Sequence, residues 1–215
     1  KIVEIKDLKI KKIIQIIIKK INQLGSDRIV NAIGAKKYKN CLGIEPAKNI
    51  AKIANRRGIK TINSYLNKKI AKNYQSKFDL VLASNVFAHN ENIINLGKYL
   101  IQLLKPNGVL IIEVQYLLDM LKNNIYDNIY HEHIHYWSAN SINNLFKKIN
   151  AHVFKFEKID THGGSLRCFV KLNNNLNYKD KTKAFINNEN DNGIKKNLLY
   201  KKFSKKIYKQ KKKFS

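Results

Sequence analysis

The densest cluster of chemistry-bearing side chains runs from Tyr130 to His135 and reads Tyr-His-Glu-His-Ile-His. Free imidazole titrates where a general base is useful near neutral pH, and a neighbouring carboxylate can orient it and stabilise its cation. The run also satisfies H-E-x-x-H through His131, Glu132 and His135, a zinc-hydrolase spacing that needs one helix to carry both imidazoles on one face. Tyr136-Trp137-Ser138 follow at once, and Ser138 reads as the start of a helix rather than its middle. That argues against the metal, and a third reading has these rings simply packing a loop. Further candidates follow short apolar runs: Glu45, whose carboxylate could accept both hydroxyls of a ribose, then Asn85, Glu113 and Tyr116.

These residues need elements to place them. Cys41 to Pro46 is a short apolar run closed by an acid and a breaker, the pattern of a buried strand. Apolar residues at 47, 50, 51 and 54 predict a helix over 47–57, stopped by Gly58. Ile59–Ile62 and Phe78–Ala83 predict two more strands. Apolar positions 93, 96, 100, 103 and 104 predict a helix over 91–104, and Pro106-Asn107-Gly108 a turn before the strand Val109–Val114. Ser138 caps a helix to about Ile149. His152–Ile159 and Leu166–Leu172 are β-patterned and joined through Gly163-Gly164, hence antiparallel. Strand–helix alternation predicts an α/β, Rossmann-like sheet of parallel strands closed by an antiparallel hairpin, with ligands at the carboxyl ends of the strands. Trp137 reads as core. Arg167 is either an exposed strand residue or a contact to a substrate phosphate. Cys41 and Cys168 read as buried thiols, with no C-x-x-C pair to hold zinc.

Three stretches resemble the C-methyltransferases that act on nucleotide-linked keto-sugars: Leu42-Gly43-Ile44-Glu45-Pro46 with Gly58-Ile59-Lys60-Thr61 beyond it; Ala83-Ser84-Asn85-Val86-Phe87-Ala88-His89; and Ile129-Tyr130-His131-Glu132-His133, followed by His162-Gly163-Gly164-Ser165-Leu166-Arg167. Their order and spacing match over about residues 20–170. The resemblance implies a class I methyltransferase domain over 1–172 that binds S-adenosylmethionine and methylates the carbon beside a sugar ketone. It implies Glu45 on the cofactor ribose, with Gly25, Ser26, Asp27, Asn85 and Val86 lining the rest of the cofactor site. His133 resembles the general base, Tyr130 and Glu132 its partners, and His89 a further polar residue of the pocket. No metal is implied. Leu24-Gly25-Ser26-Asp27-Arg28 stands where the family has a longer two-glycine loop, and Lys1–Ile5 is an alternative first strand. The family's Cys-rich N-terminal region is missing, and a short tail stands in place of its large C-terminal domain, as in a truncated or decaying relative.

Lysine (38), isoleucine (31) and asparagine (29) make up almost half of the 215 residues, against four arginines and two prolines. That composition excludes collagen, a disulfide scaffold and full disorder. These three residues have the most A/T-rich codons, so the net charge of +27 is read first as a nucleotide-composition effect. Ten lysines and no acid fall in 195–215, and 173–215 reads as a disordered Asn/Lys-rich tail. The alternative function is therefore a decayed relative acting as a basic nucleic-acid-binding module. No apolar run reaches the length of a membrane span, and the cytoplasm is the expected location. Oligomeric state is not legible.

Overall fold

The computed structural model describes residues 41–172 and 180–214. The loop expected at Gly25, Ser26 and Asp27, and the alternative first strand Lys1–Ile5, lie outside the described residues. The chain divides into two compact units, up to Gln75 and from Ser76.

The described part of the first unit is one βαβ turn and a short helix. β1 (Gly43–Ile44) and β2 (Thr61–Ile62) pair in parallel across α1 (Lys48–Arg56), with Gly43 opposite Thr61. α1 turns Ala51 and Ala54 inward, whereas Ala47 and Ile50 of the expected apolar face are exposed. Its Asn55 amide donates to Ala51 O and Thr61 O and accepts from Thr61 N, so one side chain ties helix to strand. A Cβ at position 43 would meet Thr61 Oγ1 at 2.7 Å, so glycine permits this close pairing. α2 (Lys68–Asn73) is capped by the Asn67 side chain.

The second unit is a four-stranded sheet in the order β3-β4-β6-β5. β3 (Phe78–Ser84) lies parallel to β4 (Leu104–Gln115) with α3 (Ile93–Leu103) as crossover, while β6 (Ser165–Leu172) is antiparallel to both β4 and β5 (Ala151–Ile159). The expected strand Val109–Val114 is the buried half of β4. The expected turn at Pro106–Gly108 is carried inside the strand, where pairing jumps from Phe78–Leu104 to Leu80–Val109. α4 (Leu117–Asn123) follows β4. α5 (Ala139–Lys148) begins at Ser138 in a reciprocal cap with Ser141. Leu110, Ile112, Ile142, Phe146, Val153 and Val170 are fully buried, and Trp137 is core as expected.

The β5–β6 hairpin turns through His162, Gly163 and Gly164, all at positive φ. At Gly164 (φ +126°) a Cβ would sit 2.5 Å from the buried Asp119 carboxylate. Gly164→Ala is therefore expected to cost about 1–3 kcal/mol from backbone strain alone, read as a lowered denaturation midpoint. An unchanged midpoint would show that the turn relaxes freely.

The expected tail disorder is corrected. α6 (Thr182–Asp191) and α7 (Asn197–Phe214) are helices. The reason is a sparse apolar pattern inside the lysine run: Leu199, Phe203 and Ile207 recur at helical spacing and face inward, with Ile194 and Phe203 buried. α7 lies against α4, where the Asn124 amide donates to Gln210 Oε1 at 2.7 Å. Among the described residues no helix is long and apolar enough to cross a membrane.

Candidate active site

His89, Tyr130, Glu132 and His133 come together in the second unit. The loop after β3 places His89, and the irregular segment between α4 and α5 places the others. The two loops are joined by their backbones, with Ile134 N–H and His135 N–H both donating to Ala88 O. His133 Nδ1 lies 3.0 Å from the backbone carbonyl of Asn128. A carbonyl only accepts, so Nδ1 carries the hydrogen and, in the neutral ring, Nε2 carries the lone pair. Tyr130 Oη stands 3.0 Å from that Nε2 and is therefore its donor. His89 Nδ1 likewise donates to Glu132 O at 3.0 Å. The two imidazole rings are 4.8 Å apart and Tyr130 lies 4.3 Å from His133, centroid to centroid. The result is a half-open cluster of two imidazoles, both held as Nδ1–H tautomers, and a phenol. Glu132 joins it through its backbone; its exposed carboxylate faces His131 at 3.9 Å.

The zinc geometry is absent, because 131–135 is turn and extended chain. His131 points into solvent while His135 packs beside Trp137, 5.7 Å between ring centroids. Among the described residues no three His, Cys, Asp or Glu side chains converge as a metal site.

Three other candidates, Arg167, Glu113 and Tyr116, are buried in contacts within the fold. Arg167 is not an exposed strand residue: it is fully buried on β6, 3.1 Å from Glu113 Oε2 on the neighbouring β4 and 3.8 Å from Glu157 on β5. Glu157 in turn pairs with Lys155. Sheet register puts Glu113, Arg167 and Glu157 side by side. Glu113 O also accepts from Asn85 N–H at 2.9 Å, so this residue fixes the loop that leads to His89. Tyr116 is buried and meets Glu189 of α6. Burial and the Glu189 carboxylate push its phenol far above the ordinary range, so it stays a donor. Glu189 is fully buried and accepts from Ala139 N–H, Asn140 N–H and the Asn140 amide at the start of α5. A carboxylate at a helix N-terminus satisfies donors that the helix itself leaves open. Cys168 is buried, its thiol pushed up by burial and then by Glu189 and Glu113, whereas Cys41 is only half-buried, contrary to expectation.

The cofactor candidates sit at strand ends. Glu45 ends β1, and its Oε1 accepts from Ala47 N–H at 2.8 Å. That bond orients the carboxylate; among the described residues the other oxygen has no partner. An oriented, half-exposed double acceptor fits a vicinal diol. Asn85 ends β3 in the left-handed region (φ +53°), and Val86 beside it is exposed.

A parallel βαβ pattern, strand-end polar residues and an antiparallel closing hairpin define a class I methyltransferase fold. The methyltransferase-domain family matches residues 25–155 and the C-methyltransferase C-terminal domain matches 160–215. The chain belongs to the methyltransferase-domain family, whose cofactor is S-adenosylmethionine. The C-methyltransferase NovU of Streptomyces niveus is 34% identical over 121 residues, 55% of this chain and 29% of that protein; the chain thus spans under a third of that relative. Solved structures share the fold. A SAM-dependent methyltransferase of Thermotoga maritima has a TM-score of 0.50 at 16% identity, covering 75% of this chain and 90% of that one. The complex of the Haloferax volcanii Trm112 methyltransferase activator with a methyltransferase gives 0.55 at 14%, covering 69% and 79%. The C-terminal match includes α6 and α7, so the segment read as a tail has a counterpart in C-methyltransferases.

Proposed function

We propose that this chain carries out C-methylation beside the ketone of a nucleotide-linked sugar, with His133 as general base. The observation that carries the reading is the His133 tautomer: its Nδ1–H is committed to the Asn128 carbonyl, which leaves Nε2 with the lone pair, facing the Tyr130 hydroxyl. His133 Nε2 takes the proton from the carbon beside the ketone. Tyr130 releases that nitrogen by turning its hydroxyl toward the ketone oxygen, where negative charge builds as the enolate forms. His89, held by Glu132 O, stands on the other side of His133 as a second polar wall. When bound, S-adenosylmethionine supplies an electrophilic methyl group. Glu45 holds its ribose, and Asn85, Val86 and the Gly25-Ser26-Asp27 segment are assigned to the rest of it.

The activity test is methyl transfer from labelled S-adenosylmethionine to nucleotide-linked keto-sugars. Product with a new carbon–methyl bond supports the reading, and methyl on oxygen or nitrogen only would overturn it. For the cofactor, Glu45→Ala is expected to weaken S-adenosylmethionine binding about 10- to 100-fold in calorimetric titration, the worth of hydrogen bonds to a charged acceptor. Equal affinity would move the ribose elsewhere.

A further inference from the structure

The solvent face of α7 remains after the fold and the cluster are accounted for. Leu199, Phe203 and Ile207 take the inward side, with exposed Gln210 bordering it at Asn124, which leaves Lys201, Lys205, Lys209 and Lys212 outward with Lys202 and Lys206 flanking them, all exposed. Composition alone does not explain this face. Lysine is 38 of 215 residues overall but 10 of the 19 from Lys195 to Lys213, and no acid lies beyond Asp191. A solvated helix under lysine bias would gain from Glu four residues before Lys. Here Lys201–Lys205, Lys202–Lys206 and Lys205–Lys209 set like charges one turn apart, and each pair works against the helix. Bound polyanion relieves that repulsion. The outward stripe Lys201–Lys205–Lys212 steps about 6 and 10 Å along the axis, in scale with successive phosphates. Tyr208, two-thirds exposed, sits between Lys205 and Lys212 on the same stripe. Lysine with an interleaved exposed aromatic is the surface that takes single-stranded nucleic acid, backbone on the cations and a base on the ring.

We propose that the outward face of α7 binds single-stranded nucleic acid without sequence preference. This stands apart from the methyl-transfer reading. Its test is anisotropy of a labelled oligo(U) 20-mer against the full chain at several salt concentrations. The variant Lys201→Gln/Lys205→Gln/Lys209→Gln/Lys212→Gln leaves the inward face intact, and circular dichroism checks that it is folded. It is expected to lower the slope of log K against log salt by about 3 and so to weaken binding about a thousandfold at 0.1 M salt. Tyr208→Ala is expected to weaken binding about tenfold with the slope unchanged. An unchanged slope in the four-lysine variant would overturn the proposal by spreading the contact over the whole chain. So would tighter binding to phosphatidylserine vesicles than to the oligonucleotide, with Tyr208→Ala neutral, which would make the face a membrane-docking one.

Discussion

His133→Ala is expected to lower methyl transfer by about 10²- to 10⁴-fold, the usual worth of a positioned general base, while S-adenosylmethionine still binds. The ring is half-exposed and held by Asn128 O and Tyr130 Oη, so its loss leaves the sheet untouched and the cause of the defect unambiguous. A second variant separates the two imidazoles: activity kept in His133→Ala and lost in His89→Ala would assign the base to His89, the other Nδ1–H imidazole of the cluster. Tyr130→Phe is expected to have a smaller effect, because it frees Nε2 while removing the donor for the ketone oxygen.

The largest effect on stability is expected at Arg167. Its guanidinium is fully buried against Glu113, whose side chain is 3% exposed and whose Oε1 has no hydrogen-bond partner among the described residues. Arg167→Met leaves a buried carboxylate without its counter-charge, and losses of this kind are about 3–5 kcal/mol. The double variant Arg167→Met/Glu113→Leu removes both charges and should recover most of that loss, since a well-packed apolar pair often matches a buried ion pair. Urea denaturation of the three chains decides it. Equal loss in single and double variants would show that packing volume, not uncompensated charge, sets the cost. Because Glu113 O also holds Asn85 N–H, the single variant is expected to loosen the loop that carries His89 as well.

The central strands and helices were legible because their apolar spacing is local. β3, α3, the buried half of β4 and the β5–β6 hairpin follow from periods and turn residues that no distant contact alters. Ser138 announced α5 for the same reason. Arg167 was not legible. A charged residue in a β-patterned run says nothing of its partner until sheet register sets Glu113 and Glu157 on either side of it. Glu189 and Tyr116 were hidden likewise, since their meeting joins residues more than seventy positions apart. α7 had a readable signal, Leu199, Phe203 and Ile207 at i, i+4 and i+8, overshadowed by ten lysines that suggest a solvated coil. The four residues of the candidate cluster came from the resemblance to the keto-sugar C-methyltransferases, carried by two separate stretches, but which imidazole nitrogen carries a lone pair came only from the carbonyls of Asn128 and Glu132.

Solvent-deuterium exchange into the nucleotide-linked keto-sugar isolates the central claim, because it reads proton removal with no methyl transferred. The folded chain, incubated in deuterated buffer with the keto-sugar, is expected to exchange the hydrogen beside the ketone far faster than buffer alone, and His133→Ala to fall back to the buffer rate. Exchange at the wild-type rate in His133→Ala, with the fold intact, would contradict the assignment of His133 as the base.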